Sequence, residues 1–219
     1  AVFWLPGALT RQTVALLPPA SREAIGNRLL QEIGRLAGPI CTNPRGSLAL
    51  GRLARRALGD SAPRIAVLPS SIPDTLALPG RILVVNAALV EDHETPEVLA
   101  GYLLAEQARR IEVDPMLSLL DEAGLAVTLR LLTTGQIDAA PLHAHAASLL
   151  SREAAPISDS AVLAQFEAAG LSTEPYAYAR DISGETVIGL IEANPQRDAA
   201  IAPLLSDADW VSLQDICGR

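Results

Sequence analysis

An α+β domain dominated by helices is the fold class this sequence predicts, and three observations carry it. Short β-rich segments are confined to residues 64–85. On either side of them, apolar residues recur at helical spacing. No internal repeat, low-complexity tract or linker divides the 219 residues, a length that suits one domain. The expected unit is therefore residues 1–219, with residues 1–20 open to reading as an N-terminal extension.

The first twenty residues show no clear period and end in Pro18-Pro19. Ser21 is then expected to cap a helix to Leu36, with Ile25, Leu29, Ile33 and Leu36 on one face. Gly38-Pro39 stops it. A second helix is expected from Ser47 to Gly59. The texture next changes to strand at Arg64–Leu68, Asp74–Leu78 and Arg81–Val85, punctuated by Pro69, Pro73 and Pro79-Gly80. Thr95-Pro96-Glu97 combines a cap residue, a proline at the first helical position and an acid in the first turn. The helix it opens should reach Ile111. Further helices are expected at Ser118–Leu132, Pro141–Arg152, Ser158–Ala169, Thr186–Ala193 and Asp207–Ile216.

Composition narrows the chemistry. All 17 basic residues are arginine, histidine occurs three times and cysteine twice. Without lysine, Schiff-base catalysis and a Walker-type phosphate loop are excluded. Two cysteines and three histidines leave little for a metal site. A net charge of -8 argues against nucleic acid as a partner. No apolar run reaches the roughly 18 residues that cross a bilayer, and an anchor upstream of Ala1 stays open. The start at Ala1, without Met or a basic region, is expected to be a processed or trimmed terminus. Cys41 and Cys217 are either two separate buried thiols or one bridge. A bridge would indicate an oxidising compartment, periplasmic or otherwise extracytoplasmic.

The helix from Pro96 to Ile111 is the informative element. Val98, Leu99, Tyr102, Leu103, Leu104, Ala108 and Ile111 cover most of its circumference, so it should be central to the fold. Glu106 lies inside that apolar surface, where a carboxylate is costly unless paired. Arg109 and Arg110, three and four residues on, could pair with it within the helix.

The run from Asp74 through Leu78-Pro79-Gly80 to Val85, followed by Pro96-Glu97-Val98-Leu99-Ala100, resembles a segment of one zinc metallopeptidase family. That family is the one of the CAAX prenyl endopeptidase and the bacterial heat-shock protease HtpX, which carries a strand pair of the form NAFALPGG and a helix of the form HExxH. Leu17-Pro18-Pro19 is similar to its lead-in. Ser151-Arg152-Glu153-Ala154-Ala155 through Asp159 resembles its later RxxExxAD helix, and the match continues in step to Leu171. The resemblance spans about Leu17 to Ala202 and implies a zincin-like domain with a small sheet beside the metal helix.

The departures from that pattern carry the functional expectation. By the resemblance, the two zinc-binding histidines fall on Ala105 and Arg109, and the glutamate ligand falls on Ala155. The general base survives as Glu106, and the supporting pair as Arg152 and Asp159. The family's later histidine falls on Asn194. Alanine has no donor atom, and a guanidinium has neither a lone pair nor a removable proton. Zinc is therefore expected to be lost, no other cofactor is implied, and Glu106 has no metal-bound water to activate. Arg109 is expected to fill the vacated position and neutralise Glu106, together with Asp159.

What the resemblance implies is a pseudo-peptidase: a non-catalytic module that binds a peptide or protein. In the family, substrate adds a strand along the sheet edge, here Asp74, Thr75, Leu76, Ala77 and Leu78. Two alternatives stay open, an active zinc endopeptidase with substituted ligands and a structural domain of a larger cell-envelope protein. Among other candidates, His143 and His145 lie about 200° apart on a helix, cannot share one ion, and are expected at the surface. His93 is expected in a solvated loop. Arg52, Arg55 and Arg56 are expected to form a solvated face.

Overall fold

The β-rich stretch folds as a three-stranded sheet in the order β1-β3-β2, with β1 at Arg64–Leu68, β2 at Thr75–Leu78 and β3 at Ile82–Asn86. In this computed structural model, residues 5–69, 72–197 and 202–218 are described. β3 is central, parallel to β1 and antiparallel to β2. Its first four residues are buried because both faces of the sheet are covered. The turn from β2 to β3 needs Gly80, whose φ is +75°. A Cβ at that position would also strike the backbone of Glu23.

Helices form the rest, and the protein is α+β and predominantly helical. They are α1 (Leu5–Leu16), α2 (Pro19–Ala37), α3 (Pro44–Leu58), α4 (Ala88–Glu91), α5 (Pro96–Glu112) and α6 (Pro115–Ala123). After these come α7 (Leu125–Thr134), α8 (Ala139–Ser151), α9 (Asp159–Ala169), α10 (Glu174–Arg180), α11 (Ile188–Glu192) and α12 (Asp207–Gln214). None of the described helices is long and apolar enough to cross a membrane.

Strand alternation sorts these helices into two layers. Val67, Leu83 and Val85 pack with α3, α5, α9, α10 and α12. Ala66, Leu68, Leu76, Leu78, Ile82 and Val84 pack with α1, α2, α6, α7 and α8. Within the first layer α5 meets α10 closely: a Cβ on Gly101 would collide with the side chain of Tyr176. Cys41, just ahead of α3, is bonded to Cys217, just past α12. The bridge closes a sequence separation of 176 residues.

Several expected elements need correction. Residues 5–16 are helical although they show no apolar period, because the buried face carries Thr10 and Thr13 beside Val14. The Thr13 hydroxyl is absorbed by the Leu9 carbonyl at 2.8 Å. α2 starts at Pro19, two residues before the expected Ser21 cap. α3 starts under Asn43, whose side chain accepts from the Arg45 and Gly46 amides, so Ser47 lies inside it. The single helix expected at Ser118–Leu132 is two, broken at Gly124, whose φ is +85°. α10 was not expected; Pro175 at its start and two tyrosines hide a short helix in a polar stretch. The second strand begins at Thr75, leaving Asp74 just outside it.

Candidate functional site

Pro96 lacks the N–H that a first-turn residue would leave unpaired, and α5 therefore starts there and buries most of its length. Glu106 points inward and is 3% exposed. Its Oε2 accepts a hydrogen bond from the Thr75 hydroxyl on β2 at 2.8 Å. The same oxygen accepts from the Arg109 guanidinium, one helical turn on. Arg109 also donates through Nε to the backbone carbonyl of Ala155 at 2.9 Å. One guanidinium thus ties the α5 carboxylate to the loop between α8 and α9.

Positions 105 and 109 on α5, and position 155, which lies 46 residues beyond the second, border one cavity of about 580 Å³. Asp159, Arg152, Tyr102, Tyr176 and Arg180 line it too. Ala105 is 2% exposed and offers no donor atom. The donor set at these positions does not fit zinc: two methyl groups and a guanidinium supply no lone pair. No group of three or more His, Cys, Asp or Glu among the described residues could hold a metal ion.

The expectation that Asp159 shares Arg109 is corrected. Asp159 sits at the first position of α9 and lies against Gly189 of α11. The Ala155 carbonyl takes the second donor of Arg109 instead. Arg152 lies at the end of α8 and contacts Ser118 Oγ at 3.4 Å. Asn194 borders neither cavity of this region. It accepts from the Thr173 amide at 3.2 Å and donates to Ser172 Oγ at 2.9 Å, fastening the start of α10.

β2 is one of the two edge strands of the sheet, and three of its four residues are buried. The Asn86 amide donates to the Asp74 carbonyl at 2.9 Å. This makes Asp74–Asn86, Leu76–Val84 and Leu78–Ile82 the hydrogen-bonded pairs of the antiparallel ladder. The N–H and C=O groups of Thr75 and Ala77 therefore aim away from β3. Thr75, Leu76 and Ala77 also line a second cavity, of about 230 Å³, between α5, α6 and α8. Thr75, Arg109 and the Arg152–Ala155 segment are among the residues that line both cavities, so the edge strand fronts both through Thr75.

Three contributors were not singled out from sequence. Tyr102 lies one turn before Glu106 on α5, a spacing that could have flagged it. It meets Tyr176 edge-on, with ring centroids 5.1 Å apart. Burial, helped by Asp74 and then Tyr176, pushes the Tyr102 phenol up to about 12. Arg180 lies over the Tyr176 ring at 5.6 Å. Neither Tyr176 nor Arg180 carries a sequence signal, because only the α5–α10 contact brings them to the cavity.

The histidines divide. His143 is exposed and faces Glu32 at 3.4 Å. His145 is only 2% exposed, which corrects its expected surface position. Its Nδ1 is 2.7 Å from Glu122 of α6, a partner that makes burial of the ring tolerable. His93 lies half-buried in its loop, where its carbonyl accepts from Gln214. Arg52 pairs with Asp209 at the surface, and Arg56 reaches the Ala169 carbonyl at 3.4 Å.

Among known proteins, no family model and no curated sequence matches this chain.

Proposed function

We propose that this is a zincin-like domain of the kind found in the CAAX prenyl endopeptidase and HtpX family, with its metal centre replaced by an arginine. Its function is non-catalytic: it binds an extended peptide, or a strand of a protein partner, along β2. The observation that carries this reading is the Arg109 guanidinium, held between Glu106 and the Ala155 carbonyl. Those residues stand where the resemblance puts the general base and two of the three zinc ligands. A cation is thus present beside Glu106, but one with no coordination site to bind a water and lower its pKa. Glu106 then serves to anchor β2 to α5 through Thr75, and the edge that would present substrate to a metal presents it to none.

Binding by strand addition needs unpaired backbone groups beside a space, and the alternation at Thr75 and Ala77 supplies both. The Cys41–Cys217 bridge supports an extracytoplasmic location, periplasmic or equivalent. The proposed role is tested by capturing capped, randomised decapeptides on immobilised protein. Ala77→Pro removes an edge amide and obstructs the strand. Wild type should retain peptides and the Ala77→Pro protein should lose them while unfolding at a similar temperature. Equal retention by both would contradict binding along β2.

A further inference from the structure

Of the arginines at the proposed peptide groove, only Arg109 has a carboxylate closer than 3.8 Å among the described residues. The chain is acidic overall, with 25 acids against 17 arginines. Three of those arginines, Arg109, Arg110 and Arg152, nevertheless line the smaller cavity beside β2. Arg109 is consumed by Glu106 and the Ala155 carbonyl. Arg110 is half-buried on α5 and makes no hydrogen bond or ion pair among the described residues. The charges that bear on it are Arg81, which repels it, and Asp114, which attracts it. Asp114 is already engaged by Arg22 at 2.7 Å. Arg152 is held only loosely: its nearest carboxylate, on Glu122, is 3.8 Å away and is bonded to His145 at 2.7 Å. Glu153, the remaining acid on the cavity wall, is exposed at its rim.

Burial disfavours the charged form of Arg110, and Arg81 adds to the cost. A guanidinium does not escape by losing its proton, so an anion arriving beside Arg110 would offset that cost. Arg110 and Arg152 share the cavity with the outward-facing backbone of Thr75 and Ala77. A strand added along β2 directs alternate side chains toward one wall, and a carboxylate there meets two arginines whose nearby acids, Asp114 and Glu122, are already engaged by Arg22 and His145.

We propose that the segment bound along β2 is acidic, with an aspartate or glutamate side chain of the added strand pairing with Arg110 and, beside it, Arg152. This rests on the strand-addition reading above and names the chemistry of its ligand. Recognition is by side-chain carboxylate, since a strand running past a four-residue edge brings its interior, not its terminus, opposite the arginines.

The test uses a library of randomised decapeptides acetylated and amidated at their ends, selected on wild type, Arg110→Gln and Arg110→Lys, with thermal unfolding as a folding control. Wild type should enrich Asp and Glu over Asn and Gln by about tenfold at one strand position, the size of one charge-assisted contact. Arg110→Gln should lose that enrichment, and Arg110→Lys should keep most of it. Raised salt should weaken it. Retained peptides with no acidic preference, or a preference unchanged in Arg110→Gln, would overturn this inference and leave strand binding standing. Selection of neutral peptides only when their C-terminus is uncapped would overturn it in favour of a chain terminus. A wild type that retains no peptide at all would overturn strand binding itself, and this inference with it.

Discussion

Glu106 is a buried carboxylate whose charge is met from two directions, by the Thr75 hydroxyl and by Arg109. Burying an ion pair gains little net stability, but removing one partner leaves the other uncompensated. The Arg109 side chain is 19% exposed and that of Glu106 4%, so screening by water is weak. Arg109→Ala should therefore cost about 3 to 5 kcal/mol, measured by chemical denaturation. Replacing the pair by apolar residues of similar volume, Glu106→Leu with Arg109→Met, should cost much less. Equal losses for the two proteins would show that Glu106 does not depend on Arg109. This pairing was legible in sequence, since a carboxylate on an apolar helix face needs a partner and arginines three and four residues on could supply one. The choice of Arg109 over Arg110 was not legible from spacing. It depends on the Ala155 carbonyl, which reaches the helix only through tertiary packing. Arg110 was likewise legible as a possible partner for Glu106 but not as a cation without a bonded acid, because that depends on Asp114 being taken by Arg22.

Helices α6 and α8 are clamped by the Glu122–His145 hydrogen bond, and this contact sets a pH dependence. Burial lowers the His145 pKa from its ordinary 6.5, against the opposing effect of the hydrogen bond its ring makes to Glu122. The folded protein then keeps the ring neutral where the unfolded chain takes up a proton. Between the two pKa values the unfolded state binds more protons, so stability rises with pH. The contribution is complete above about 6.5 and declines as the pH falls through the lower folded value. Denaturation at pH 7.5 and 5.0 should show a smaller acid-induced loss in His145→Gln than in wild type. An unchanged loss would remove His145 from the account. At this scale the sequence was uneven as a guide. Strands and long helices were legible because apolar residues keep their period over many positions. α1 was not, because threonines occupy its inner face. The break between α6 and α7 was not, because apolar residues continue on both sides of Gly124.

Across the whole molecule, a thin sheet is enclosed by two helical layers, and the candidate site opens where the sheet edge meets both. The order of two helices, a small sheet and a helical remainder was legible, since each class of segment has its own spacing. The additional helix at the start and the two-sided covering of the sheet were not, because a single sequence does not say which face a helix packs on. The disulfide binds the far end of the chain to this body. In the chain-entropy account, closing a loop of this length stabilises by about 5 kcal/mol. Reduction should lower the unfolding temperature markedly and loosen α12, where Trp210 donates to the Glu94 carbonyl at 3.0 Å. Tryptophan fluorescence under reductant follows this directly, and no change in either quantity would argue that the bridge carries no load. The central claim, a zincin-like site whose metal has been replaced by an arginine, is tested most directly by zinc stoichiometry. The comparison is between purified wild type and the variant carrying Ala105→His, Arg109→His and Ala155→Glu. Wild type should hold no stoichiometric zinc after incubation with the metal, and the triple variant should hold one ion per chain. One tightly held zinc in wild type, with peptide cleavage lost on chelation and in Glu106→Gln, would contradict the account.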